Sequence, residues 1–164
     1  MSNPLTLRRA TRADAVTLAD IHIAARATAM PWLRVVHSAE ETHWWMTQVV
    51  VPRLEVWVAD RAGDALGFLA LQDEWVEQLY VEPSAWRIGA GSMLLEHAKL
   101  RRPNGLKLWT FQRNALARAF YRKHCFTEQR ETDGCANEER EPDVLLEWRS
   151  FTSSCGAAKP RVEG

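Results

Sequence analysis

A glycine-bearing turn, residues 86–92, lies between a strand-like run, Trp75 to Val81, and an apolar run, Met93 to Leu100, that is typical of a helix. Such a turn exposes backbone N–H groups at a helix N-terminus, where a phosphate or diphosphate binds readily. Gly89 and Gly91 let a ligand approach the backbone because neither residue has a Cβ. The turn therefore predicts a site for an anionic ligand.

Two familiar nucleotide motifs do not fit this turn. A dinucleotide fingerprint needs a third glycine where Leu94 stands, and an acid about twenty residues further on. The stretch from Leu106 to Asn114 contains no acid. A Walker loop needs a lysine before its serine, but Ser92 follows Gly91 directly.

A second motif follows at residues 114–126, which read NALARAFYRKHCF. With this segment the chain resembles the GCN5-related N-acetyltransferase (GNAT) superfamily, whose motifs are [QR]-x-x-G-x-[GA] and N-x-x-A-x-x-[FL]-Y-x-[KR]-x-G-F. Trp86 stands where glutamine or arginine is usual, and Cys125 where glycine is usual. The residues in register are Gly89, Gly91, Asn114, Ala117, Phe120, Tyr121, Lys123 and Phe126.

The resemblance covers roughly residues 5–149 and implies an α/β fold of the α+β, mixed-sheet type. It implies a central, mostly antiparallel sheet that is splayed at strands 4 and 5, with helices on both faces. Hydrophobic periodicity predicts the element order β-α-α-β-β-β-α-β-α-β, with a hairpin between Leu54–Asp60 and Ala65–Leu71. We expect one domain over residues 1–149 and a disordered C-terminal tail over residues 150–164.

Acetyl-coenzyme A is the cofactor that the resemblance implies. The turn amides would bind its diphosphate, and the backbone of the strand before the turn would pair with its pantetheine arm. Asn114 would contact the cofactor or the splayed strand, although a helix N-cap is an equally natural role for it. The predicted cofactor-binding residues are Leu79, Tyr80, Val81, Arg87, Ile88, Gly89, Ala90, Gly91, Ser92, Asn114, Ala117, Phe120 and Tyr121.

Two residues are candidates for proton transfer. Tyr121 matches the family tyrosine near the cofactor sulfur and is the predicted general acid. Glu77 is the predicted base, because strict alternation would place it on one strand face with Trp75, Leu79 and Val81. An exposed Glu77 at the strand end is the structural alternative, and Glu74 is the alternative base.

Acceptor recognition is the least determined part of the sequence. Residues 131–143 carry six carboxylates and one arginine, which could attract a cationic amine or could be a solvated surface. Tryptophans lie in the segment that covers the acceptor site in this superfamily, although core packing would explain them as well. The predicted substrate-binding residues are Trp32, Trp44, Glu77 and Glu138.

Overall composition narrows the choice of partners. Twenty-one basic residues balance twenty-one acidic ones, so the chain lacks the positive field of a general nucleic-acid binder. We expect a cytoplasmic protein that binds no membrane, since no segment has the apolar length of a span. The three cysteines lack zinc-ligand spacing, and no metal site is predicted.

The predicted function is transfer of an acetyl group from acetyl-coenzyme A to a primary amine by direct attack in a ternary complex. The acceptor is a small-molecule amine or a peptide amine. Two alternatives remain open, namely a non-catalytic acyl-coenzyme A sensor and a transferase of longer acyl groups. A homodimer through the closing strand, Val144 to Trp148, is possible.

Overall fold

The apolar runs of the chain pair into one mixed sheet in the computed structural model, which describes residues 3–150. Within that range there are seven strands, namely β1 Thr6–Arg9, β2 Glu55–Arg61, β3 Asp64–Gln72, β4 Trp75–Val81, β5 Leu106–Phe111, β6 Thr127–Glu131 and β7 Asp143–Trp148. They lie in the order β1-β2-β3-β4-β5-β7-β6. Neighbouring strands are antiparallel except for β4 and β5, which are parallel.

The α-helices of the described range are α1 Ala15–Ala29, α2 Ala39–Trp45, α3 Val51–Arg53, α4 Ala90–Arg101 and α5 Ala115–Lys123, and short 3-10 or π-helical segments lie at Arg12–Asp14, Met46–Val50 and Pro83–Ala85. On one face of the sheet α1 buries Leu18 in a cluster with Phe68. On the other face α4 buries Leu94 and Leu95 in a cluster that also contains Tyr121 of α5. The prediction of a mixed sheet with helices on both faces is confirmed.

The local sequence explains the connection between β2 and β3. Ala62 and Gly63 join β2 to β3 with φ values of 55° and 89°, the left-handed pair that a two-residue hairpin turn requires. The predicted hairpin is therefore confirmed. Strand β6 is absent from the predicted order, because its sequence TEQRE is exposed at every position and has no apolar alternation.

Strands β4 and β5 separate soon after they begin. Trp75 and Lys107 form the one register pair between these two described strands, and the Lys107 N–H donates to the Glu74 carbonyl oxygen at 2.9 Å. The splay predicted at strands 4 and 5 is thus confirmed. It leaves the later part of the β4 edge without a strand partner on that side.

The expected tail over residues 150–164 lies outside the described residues, apart from Ser150. In residues 3–150 we find no helix with the length and apolar character needed to cross a bilayer.

Candidate active site

The free edge of β4 is formed by the backbone of Leu79 and Val81. The Glu82 N–H donates to the Leu66 carbonyl oxygen on β3 at 2.7 Å, and Tyr80 is the register partner of Phe68. Because backbone groups alternate in direction along a strand, those of Tyr80 face β3 and those of Leu79 and Val81 face the gap. The expectation that Tyr80 offers backbone groups to a ligand is therefore corrected.

Trp86 occupies part of this edge. Its indole Nε1–H donates to the Val81 carbonyl oxygen at 2.8 Å. The side chain that replaces the usual glutamine or arginine thus fixes the turn to the end of β4. The groups left free in the gap are both backbone groups of Leu79 and the Val81 N–H.

Glu77 does not follow the predicted alternation. Gln78 pairs with Ala70 and Val76 pairs with Leu71, so Glu77 is the extra residue of a β-bulge. The bulge brings Val76 into the apolar cluster against which Leu79 packs, and it leaves Glu77 exposed. The bulge interrupts the strict alternation on which the prediction for Glu77 relied, and the role of Glu77 as a base stays a prediction. Partial desolvation still raises the pKa of its carboxyl group.

The backbone conformation of the turn before α4 agrees with the prediction based on its glycines. Gly89 caps the helix with a φ of 93°, and Arg87 is also left-handed, with a φ of 68°. The N–H groups of Ala90, Gly91 and Ser92 belong to the first turn of α4, where no intrahelical acceptor is available. A Cβ added at Gly89 would meet no atom within 4 Å, so its surroundings leave room for a ligand. Arg87, Ile88 and Gly89 are all exposed.

Helix α5 borders the turn through an aromatic side chain. The Phe120 ring lies 3.5 Å from the position that a Cβ on Gly91 would occupy. Asn114 caps α5 by accepting a hydrogen bond from the Ala117 N–H at 3.2 Å. The structural role of Asn114 is thereby confirmed, whereas its contact with a cofactor stays a prediction.

Tyr121 lies on α5 between the rings of Phe120 and Phe126, with centroid distances of 5.2 and 5.5 Å. It is 9% exposed, and its hydroxyl has no hydrogen-bond partner among residues 3–150. Burial raises the pKa of the Tyr121 phenol, and the neighbouring Tyr80 phenol acts in the same direction. The Tyr121 phenol is therefore neutral throughout the physiological pH range.

A cavity of about 1170 Å³ lies on the α1 face of the sheet. We call it the α1 cleft; it is bordered by α1, by the segment from Met30 to Trp45 and by Glu138 and Glu139. Trp44 lines it and is 62% exposed, as the predicted acceptor site requires. Glu138 also lines the cleft, where its carboxylate lies 2.8 Å from Nε2 of His37.

Two predicted acceptor residues lie elsewhere. Trp32 packs edge-to-face on Phe111 at the end of β5 and stacks under the Arg113 guanidinium at 4.3 Å. Neither Trp32 nor Glu77 is among the residues that line the α1 cleft. Trp32 is thus placed near the open end of the strand gap.

The floor of the α1 cleft holds polar residues that the sequence analysis missed. Nδ1 of His22 and Oε1 of Gln78 are buried and have no hydrogen-bond partner within residues 3–150. Burial, together with the charge of Arg26, lowers the pKa of His22 to about 4. Arg26 donates to the Tyr80 hydroxyl at 3.1 Å and pairs with Glu139 at 2.8 Å. His22 and Arg26 could have been found as two polar residues spaced i, i+4 on a helix face that also carries Leu18.

Comparisons with known proteins agree with this geometry. Residues 52–128 match the family described as "Acetyltransferase (GNAT) domain". The peptidyl-lysine N-acetyltransferase YjaB of Salmonella typhimurium is 35% identical over 77 residues, which cover 46% of this chain. The match spans about half, 52%, of that relative's length.

Solved structures show the same fold over most of the chain. The solution structure of apo-form YjaB from Escherichia coli has a TM-score of 0.75 at 21% identity, covering 88% of this chain and 97% of that one. The PaiA N-acetyltransferase from Thermoplasma acidophilum, solved in complex with coenzyme A, has a TM-score of 0.68 at 17% identity and covers 89% and 99%. The splayed sheet and the glycine turn at α4 agree with the match of residues 52–128 to the GNAT domain family, and with the resemblance of the chain to the GNAT superfamily.

Proposed function

We propose that this chain is an acetyl-coenzyme A-dependent N-acetyltransferase with a single domain, residues 1–149, that acts on a primary amine. The observation that carries the proposal is the arrangement of one free strand edge beside one free helix N-terminus. Leu79 and Val81 offer backbone groups in the gap, and the first turn of α4 follows within ten residues. Relatives bearing the names of acetyltransferases support the same activity.

The residues present fit coenzyme A. The amides of Ala90, Gly91 and Ser92 suit the diphosphate, because the N-terminus of a helix favours negative charge. Leu79 and the Val81 N–H suit the amide-bearing pantetheine arm, which would add to β4 as a strand does. The Phe120 ring packs against the turn, 3.5 Å from the position that a Cβ on Gly91 would occupy. When bound, acetyl-coenzyme A would supply the acetyl group, and coenzyme A would leave as a thiolate once the C–S bond of the thioester breaks.

Tyr121 is the proposed proton donor to that thiolate. The phenol is protonated at physiological pH, and its hydroxyl can donate to the thiolate without breaking a hydrogen bond within residues 3–150. A positioned acid contributes about 10² to 10⁴ in rate. Meanwhile the amine nitrogen forms a bond to the acetyl carbon and loses a proton to a base.

Glu77 is the proposed proton acceptor, reached directly or through water. Its raised pKa makes the carboxylate a stronger base than an ordinary glutamate. Glu77 lies on β4, the strand whose later part borders the gap, and this supports the proposal. Glu77→Gln tests this role, as argued in the Discussion.

The α1 cleft is the proposed acceptor site. Its floor carries the neighbouring side chains of His22 and Gln78, whose Nδ1 and Oε1 atoms form no well-aligned hydrogen bond within residues 3–150, and an amine N–H would satisfy an acceptor there. Its lining carries Trp44, the guanidinium groups of Arg26 and Arg34, of which Arg26 is paired with Glu139, and four carboxylates, those of Glu40, Glu41, Glu138 and Glu139. A cationic amine on an apolar body, such as a lysine side chain in a peptide, suits these walls. The peptidyl-lysine relative supports that class of acceptor.

The decisive experiment follows release of coenzyme A with acetyl-coenzyme A and a panel of amines that includes lysine peptides and small polyamines. Mass spectrometry then identifies any product. Release of coenzyme A above the rate of hydrolysis supports the proposal if the product is about 42 Da heavier than the amine, the difference made when an acetyl group replaces a hydrogen on nitrogen. Binding of the cofactor without turnover on any amine would instead indicate a sensor. Faster turnover with succinyl- or longer thioesters would indicate a different acyl donor.

A further inference from the structure

The turn that begins α4 is hydrogen-bonded to the end of α5 through a chain of three side chains. Ser92 Oγ lies 3.0 Å from Nε2 of His124, and Nδ1 of His124 lies 3.0 Å from Oε1 of Glu96. Ser92 is the third residue of α4, so its hydroxyl lies in the same turn as the amides proposed to bind the diphosphate. His124 is 11% exposed, which leaves its ring little freedom to move.

The order serine, histidine, acid also occurs in hydrolases, but this arrangement differs from theirs. The acid of such a triad is buried, whereas the Glu96 side chain is 57% exposed. The serine of an α/β-hydrolase lies on a sharp strand-to-helix turn, whereas Ser92 lies inside α4. The chain therefore suits positioning of the Ser92 hydroxyl better than its use as a nucleophile.

The protonation state of His124 decides what Ser92 can offer to an anion. When Nδ1–H donates to Glu96, the neutral ring has a lone pair on Nε2, and the Ser92 O–H donates to it. The hydroxyl then presents only lone pairs to a phosphate. When the ring is protonated, Nε2–H donates to Ser92 Oγ, and the hydroxyl proton is free to donate to the phosphate.

The charged groups that face His124 come from α4. Glu96 accepts from Nδ1, and Lys99 donates both to the His124 carbonyl oxygen at 2.7 Å and to Glu96 at 3.2 Å. From α5 the neighbour is the uncharged Phe120 ring, with a centroid distance of 4.7 Å. The negative charge of Glu96 and the positive charge of Lys99 oppose each other near the ring. Binding of an anion at Ser92 therefore adds negative charge near the ring and favours the protonated form of His124 over the neutral form.

We infer that His124 is a positioning residue that takes up a proton when a diphosphate binds at α4 and thereby turns the Ser92 hydroxyl toward it. This inference rests on the proposed function, since it takes the diphosphate to be that of coenzyme A. No covalent bond forms or breaks. The proton comes from solvent and is released when the ligand leaves.

The test is calorimetric titration of the full chain with free coenzyme A between pH 6 and pH 9, in buffers of different ionisation enthalpy. We expect net proton uptake, and affinity that falls with rising pH by at most about tenfold per pH unit for one linked proton. His124→Gln is the informative variant, because its amide N–H₂ can donate to Ser92 at every pH. Its affinity should stay near the low-pH value, so that the ratio of the two dissociation constants rises with pH. Titration of the ligand's own phosphate cancels in that ratio.

His43→Gln is the matched control. His43 also faces a carboxylate, Asp20, at 2.7 Å, but it lies on α2 on the other face of the sheet. Its variant should keep the proton uptake of the unmodified chain. Binding of coenzyme A with equal proton uptake in the unmodified chain and in His124→Gln would overturn this inference alone. Failure of the unmodified, folded chain to bind coenzyme A at all would overturn the proposed function as well.

Discussion

The indole of Trp86 donates a hydrogen bond to the carbonyl oxygen of Val81 at 2.8 Å, across residues 82–85, which connect β4 to the glycine turn. This bond joins the two elements that the proposed cofactor must contact, the edge of β4 and the start of α4. It also removes one acceptor from that edge. Trp86 therefore takes over a structural role at a position where the superfamily usually has glutamine or arginine.

Replacement of this indole should loosen the turn. Trp86→Phe keeps a ring but loses the donor, and the Val81 carbonyl oxygen is left without this partner. We expect the free energy of unfolding to fall by about 0.5–1.5 kcal/mol. Urea unfolding of both proteins measures the difference. An unchanged midpoint would show that the bond contributes nothing to the stability of the fold.

The role of Tyr121 can be separated from cofactor binding. Tyr121→Phe removes only the hydroxyl from a ring packed between Phe120 and Phe126, so the fold should persist. We expect coenzyme A affinity to be kept and kcat to fall by about 10² to 10⁴. Steady-state kinetics and calorimetry together check this. Equal turnover in the variant would remove Tyr121 from the proposed mechanism.

A negatively charged side chain at the α4 turn should prevent binding of the diphosphate. Gly91→Glu places a carboxylate among the free amides, and we expect loss of coenzyme A binding. Gly91→Ala is the matched control, because its Cβ would lie 3.5 Å from the Phe120 ring, an ordinary contact. The alanine variant should fold and bind. If the glutamate variant bound coenzyme A as tightly as the alanine variant, the diphosphate would have to bind elsewhere.

Glu77 on β4 and Glu74, which directly precedes β4, are two carboxylates whose roles can be compared. Glu77→Gln should lower kcat and remove the acidic limb of its pH profile, because a raised pKa places that limb higher than for an ordinary glutamate. Glu74→Gln should keep activity, since the Glu74 carboxylate lies 3.5 Å from Nζ of Lys107 at the closed end of the gap. Loss of turnover in the Glu74 variant alone would transfer the role of base to Glu74.

His22 predicts a loss of stability in acid. The unfolded chain protonates this imidazole near pH 6.5, whereas the folded protein keeps it neutral down to about pH 4. Between these values the unfolded state binds more protons, so stability falls as the pH falls. The expected loss is roughly 2 kcal/mol at pH 5, from about 1.4 kcal/mol per pKa unit.

Urea unfolding at pH 7 and pH 5 measures this loss. His22→Gln should abolish that part of the pH dependence, while His43→Gln, on the neighbouring helix α2, should retain it. The same acid loss in both variants and in the unmodified chain would show that the His22 ring is not held neutral.

The sequence by itself determined the local features of this protein. Apolar, β-compatible runs and the breaker residues 103–105 bounded β4 at Trp75–Val81 and β5 at Leu106–Phe111, as the structure has them. The glycine turn and the Asn114 cap were also readable, since both depend on backbone geometry within a few residues. These local signals were sufficient to predict the fold family.

Tertiary structure alone decided where the side chains of the site meet. The bulge at Glu77 arises from pairing with β3, which no window of sequence contains. His22 meets Gln78 across 56 positions of chain, and Ser92 meets His124 across 32, because elements that are distant in sequence pack against each other. Period and propensity describe one element at a time, whereas a cleft exists only once several elements have been placed against each other.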